Sequence, residues 1–130
     1  MALVQYRVML PSHANELAAA VAAALQRLDD YESAVGEVLE RPEDELLYAR
    51  SVEQFDAIRA LTASIPGLQV RWIEVLISRF ELLEELWQVK DGKPRAPDLD
   101  RLRDNHTASV QSFRRLCLRR VTSGGATASR

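Results

Sequence analysis

Residues 17–38 read LAAAVAAALQRLDDYESAVGEV, and within them Leu17, Val21, Ala24, Leu28, Tyr31, Val35 and Val38 recur at alternating intervals of four and three. On a helix that spacing puts every named residue on one face, the seam of a coiled coil or of an antiparallel bundle. The alanines of residues 18–24 have high intrinsic helicity and let a neighbouring helix come close. Ser12 offers a hydroxyl cap at the start, so a first helix is expected over about 12–40, with Gly36 as its weak point.

C-terminal to this stretch, Pro42 suits the first turn of a second helix, and Glu43, Asp44 and Glu45 suit the positive end of its dipole. Leu47, Tyr48, Val52, Phe55, Ile58, Leu61 and Ile65 then follow three-and-four spacing until Pro66-Gly67, a tight turn between helices. A third helix over 68–90 carries Ile73, Leu76, Phe80, Leu83 and Trp87 at intervals of 3, 4, 3 and 4, which is read as its inward seam. Trp72, Leu82 and Leu86 widen its apolar face. Residues 91–97 form the longest loop, and Asp98 can cap a fourth helix with Leu99, Leu102, His106, Val110, Phe113 and Cys117 on one face.

The N-terminal side fits least well. Val4, Tyr6, Val8 and Leu10 alternate with Gln5 and Arg7 among others, as in a short strand, for which the chain offers no pairing partner. The expectation is an extended arm over the bundle, with pairing to a second copy as its alternative. The fold expected is therefore all-α: an antiparallel up-down four-helix bundle, with a short extended segment at 3–10 and a disordered tail at 122–130. Residues 1–121 are expected to form one helical-bundle domain, a size that buries an adequate core.

Charged residues make up 28% and hydrophobic residues 47% of the 130-residue chain, which argues against wholesale disorder. The net charge of −2 conceals an asymmetry: residues 1–65 hold 11 acids and 5 bases, residues 66–130 hold 8 acids and 12 bases. Such ends suit electrostatic self-association, although solvated helix faces explain them as well. A single cysteine, Cys117, makes no internal disulfide, and no run approaches the roughly 20 apolar residues of a membrane span. A cytoplasmic protein without membrane contact is the expectation.

Motifs for chemistry are sparse. His106 sits on the inward stripe of the fourth helix beside Asp104 and Asn105, where a facing carboxylate would make a general base. A satisfied core histidine is the simpler account. The glutamate three residues before a histidine that di-metal bundles use is missing, since positions 103 and 10 are Arg and Leu. Phosphate loops and a nucleophile elbow are missing too, so neither cofactor nor catalytic residue is expected.

Two surfaces stand out. Trp72, Phe80, Leu82, Leu86 and Trp87 make the third helix more apolar than one stripe requires, which marks them as a candidate interface for a second copy or a partner protein. Arg114, Arg115, Arg119 and Arg120 form a candidate patch for nucleic-acid backbone or an acidic partner, though a basic helix end also suits the dipole. The function expected is a non-enzymatic, self-associating bundle acting through protein contacts, as an adaptor, chaperone or assembly subunit. The alternative is an accessory subunit of a nucleoprotein complex.

Overall fold

The periodic segments become four helices in the computed structural model, which describes residues 2–63, 65–90 and 98–128: α1 (Ala2–Glu40), α2 (Glu45–Thr62), α3 (Leu68–Lys90) and α4 (Leu99–Ala128). Side-chain surroundings are described for 15–63, 65–88 and 98–121. Along α1, Val21, Ala24, Leu28, Tyr31 and Val38 are buried, Val35 is partly so, and Leu17 stands 37% exposed. The stripe of α4 is buried throughout, from Leu99 to Cys117.

Two clusters of buried side chains tie the helices together. The larger joins Val21, Leu28 and Tyr31 of α1 to Phe55 and Ile58 of α2, Leu68, Trp72 and Val75 of α3, and Val110, Phe113 and Cys117 of α4. The smaller joins Val38, near the end of α1, to Leu82 and Leu86 late in α3 and to Leu99 and Leu102 at the start of α4. Tyr48, early in α2, meets Trp87, late in α3, with ring centroids 5.6 Å apart. These meetings of starts with ends make successive helices antiparallel, as short connections require. α1 packs closely on α2, and α3 on α4; α2 and α3 meet more sparsely, with Phe55–Trp72 and Tyr48–Trp87 between them.

The structure departs from the sequence-based expectations at four places. Residues 3–10 are helical rather than extended, and α1 runs through Pro11 and past Ser12 without a break. A lone strand would leave its backbone groups unpaired, whereas a helix pairs them within the segment. At the other end α4 continues to Ala128, so residues 122–128 extend a helix already established instead of forming a disordered tail; residues 129–130 and the expected loop 91–97 lie outside the described residues.

The second helix starts at Glu45 and not at Pro42. Asp44 is its cap, accepting hydrogen bonds from Leu46 N and Leu47 N at 3.0 and 3.2 Å. Pro42 and Glu43 form the preceding turn, because a carboxylate that satisfies two orphan amides outweighs the preference for proline at a first helical position.

The fourth difference is the orientation of α3. Its inward residues are Leu68, Trp72, Val75, Ser78, Leu82 and Leu86, while Ile73, Leu76 and Phe80, expected inside, are 50%, 46% and 68% exposed. Both sets obey three-and-four spacing, and at 100° per residue their centres lie roughly 120° apart around the helix. The set that carries Trp72 and Ser78 went inside, where the Trp72 ring packs between Phe55 and Phe113 and the Ser78 hydroxyl meets His106.

Candidate functional site

A chain of polar side chains crosses the middle of the bundle. Ser78 on α3 is held by its own helix: its hydroxyl donates to Val75 O at 3.0 Å. That leaves Ser78 Oγ to accept from His106 Nδ1, 2.8 Å away, so Nε2 accepts the Tyr31 hydroxyl proton, also at 2.8 Å. His106 is only 3% exposed and Tyr31 is fully buried. Burial pushes the imidazole down to about 4, with the positive charge of Arg79 adding to the effect, and burial likewise pushes the Tyr31 phenol far up. At neutral pH the site holds a neutral imidazole with both nitrogens bonded.

Arg79 lies one residue beyond Ser78 and turns its guanidinium over the Phe55 ring, 4.7 Å from the centroid. Trp72 stacks beside it, with centroids 4.6 Å from Phe55 and 4.9 Å from Phe113. Arg79 Nη2 and Trp72 Nε1 are buried without a hydrogen-bond partner among the described residues. A void of about 10 Å³, enough for about one water, lies among Tyr31, Ser51, Arg79 and His106.

This arrangement argues against general-base chemistry at His106. Asp104, the neighbour considered from sequence, is on the surface and pairs with Arg103 at 3.3 Å. Both imidazole nitrogens are engaged with neutral hydroxyls, so the network holds three helices in register rather than presenting a base to substrate. Among the described residues no group of three His, Cys, Asp or Glu side chains converges as metal ligands. No described helix is long and apolar enough to cross a membrane. Burial pushes the Cys117 thiol up to about 11, against a nearby Arg114 that lowers it, so it is protonated and packs as a small apolar residue.

The four arginines divide into two pairs. Arg114 is partly buried and donates to Glu32 and to Asp29, the latter at 2.8 Å, tying α4 to α1. Burial alone would lower its pKa; the bonds to the two carboxylates raise it on balance. Arg120 donates to Pro66 O at 2.7 Å. Arg115 and Arg119 remain exposed, and among the described residues neither pairs with a carboxylate, Arg115 reaching only Ser112 Oγ at 3.2 Å. Of the four, Arg114 alone is drawn into ion pairs with carboxylates, and Arg120 is exposed but tied to the turn before α3.

The five apolar residues proposed from sequence as an interface on α3 also divide. Trp72, Leu82 and Leu86 are 4%, 1% and 5% exposed and belong to the interior. Phe80 and Trp87 are at the surface, where Val70, Ile73, Leu76 and Ile77 join them. These six residues line the outer side of α3; the sequence marks Phe80 and Trp87 as a contact surface, but not Val70, Ile73, Leu76 and Ile77. At its far end a pocket of about 270 Å³ opens among Val38, Pro42, Tyr48, Leu83, Leu86 and Trp87. Comparison of the chain with protein-family models, with curated proteins and with solved structures finds no match.

Proposed function

We propose that this chain is a non-enzymatic helical-bundle protein that acts through protein–protein contacts, as an adaptor, chaperone or assembly subunit, with the outer face of α3 as its contact surface. The observation that carries this is the run Val70, Ile73, Leu76, Ile77 and Phe80, each between 46% and 68% exposed on one side of a single helix. Isolated exposed apolar residues are ordinary, but a contiguous stripe over several turns marks a surface that another chain covers. The polar centre supports the same view, since His106 is spent on holding helices together.

Size-exclusion chromatography with light scattering, at low and high salt, tests the proposal. A dimer or larger species that persists in high salt supports an apolar contact, and a strictly monomeric protein that also binds no apolar-surface dye counts against it. A random single-stranded oligonucleotide in the same experiment tests the second reading, for which Arg115 and Arg119 remain exposed. Phosphate contacts give a mobility shift that fades steeply with salt. With Arg114 paired to Glu32 and Asp29, that reading stands on Arg115, Arg119 and the exposed Arg120, whose guanidinium is bonded to Pro66 O.

A further inference from the structure

The outer surface formed by α3 and α4 has a polarity along its length. Trp72 packs on Phe113, and Ser78 bonds His106, which sets the levels at which the two antiparallel helices run side by side. Glu81 and Glu84 lie beyond the Ser78–His106 level; Arg115 and Arg119 lie beyond the Trp72–Phe113 level, at the opposite end. At 1.5 Å per residue the two groups are on the order of 20 Å apart along the bundle, too far to pair within one chain. Among the described residues none of the four has an oppositely charged partner, whereas Arg71 pairs with Glu74, and Arg101 and Arg103 with Asp98, Asp100 and Asp104. Between the two ends lie Val70, Ile73, Ile77 and Phe80, at 64%, 50%, 54% and 68% exposure.

A surface with acids at one end, arginines at the other and an apolar middle is complementary to itself under a two-fold axis perpendicular to the helices. Resting on the reading of α3 as a contact surface, we infer that its occupant is a second copy of this chain, whose Arg115 and Arg119 meet Glu81 and Glu84 at each end of the interface. Area points to α4 as part of the contact. The strip of α3 from Val70 to Trp87 is about 26 Å long and roughly 10 Å wide, well short of the roughly 800 Å² per partner of a stable interface. The contact therefore spreads onto a neighbouring helix, and α4 packs on α3 far more closely than α2 does. The apolar middle supplies the affinity, and the charged ends set the orientation.

The experiment uses the full chain, with sedimentation equilibrium to measure dimerisation and circular dichroism to confirm that each variant is folded. All the positions changed are exposed. The expected result is a wild-type dimer that Ile77→Glu converts to folded monomer. Each charge reversal, Glu81→Arg/Glu84→Arg or Arg115→Glu/Arg119→Glu, weakens the dimer on the order of tenfold, and mixing the two variants restores a 1:1 dimer. A wild-type chain that stays monomeric at hundreds of micromolar overturns the inference but leaves α3 as a surface for another protein. A dimer broken by Ile77→Glu but indifferent to both reversals overturns the paired ends alone. If Ile77→Glu also leaves the dimer intact, this inference and the α3 contact surface fall together.

Discussion

Tyr31 and His106 stand 75 positions apart in the chain and meet through a 2.8 Å hydrogen bond at the centre of the bundle. Their rings lie edge to face, with centroids 5.7 Å apart. Through this pair α1 is joined to α4, and through His106 Nδ1 and Ser78 the link continues to α3. Apolar packing alone tolerates small slides of one helix along another, but a hydrogen-bonded chain with a defined donor order does not.

Replacing Tyr31 by Phe keeps the ring and its contacts with Phe55 and Trp72. It leaves His106 Nε2 a buried acceptor without a donor, so Tyr31→Phe should lose about 1 to 3 kcal/mol of stability. Urea unfolding followed by circular dichroism measures this directly. A variant as stable as wild type would mean that the network contributes nothing net.

The same histidine predicts how stability depends on pH. Folding favours the neutral imidazole and lowers its pKa from 6.5 to about 4. The contribution is fully present above about pH 6.5 and is lost as the pH falls towards 4, because the unfolded chain takes up the proton first. Roughly 1.4 kcal/mol per unit makes this about 3 kcal/mol across the window. Unfolding curves between pH 4 and 7 should therefore be steeper in pH for wild type than for His106→Gln. Parallel profiles for the two proteins would contradict the assignment.

How far the sequence revealed this fold varied with the helix. On α4 only one apolar stripe exists, and Leu99, Leu102, His106, Val110, Phe113 and Cys117 all went inside as their spacing required. α3 carries two such stripes, and periodicity has no means of choosing between them. The inner one includes Ser78 and Arg79, whose partners, His106 and Phe55, lie on other helices. At residues 3–10 a few alternating positions suggested a strand, yet helix needs no partner to satisfy its backbone. Arg114 and Arg120 likewise resemble Arg115 and Arg119 in sequence, and only the packing of α4 against Asp29, Glu32 and Pro66 sets them apart.

That separation is testable. Arg114→Ala removes a partly buried guanidinium from two carboxylates of α1 and should cost about 1 kcal/mol. Arg115→Ala should fall within about 0.5 kcal/mol of wild type when unfolding of the monomer is measured at low protein concentration. Equal effects from the two substitutions would show that the Arg114 pairs add nothing to stability.

The two glycines at Gly36 and Gly67 should respond to alanine with opposite signs. Gly36 lies in the interior of α1, and nothing stands within 4 Å of where a Cβ would be. Gly36→Ala therefore gains helix propensity without a clash and should stabilise by about 0.5 to 1 kcal/mol. Gly67 holds φ at 88° in the turn after Pro66, a conformation that costs an L-residue about 1 to 2 kcal/mol. A Cβ there would also come within 2.5 Å of Arg120 Nη2, displacing the guanidinium from its bond to Pro66 O. Thermal or urea unfolding of the two single variants decides the matter. Stabilisation at both positions would mean that the Pro66-Gly67 turn relaxes to negative φ at no cost, and that Arg120 has no part in holding α4 to it.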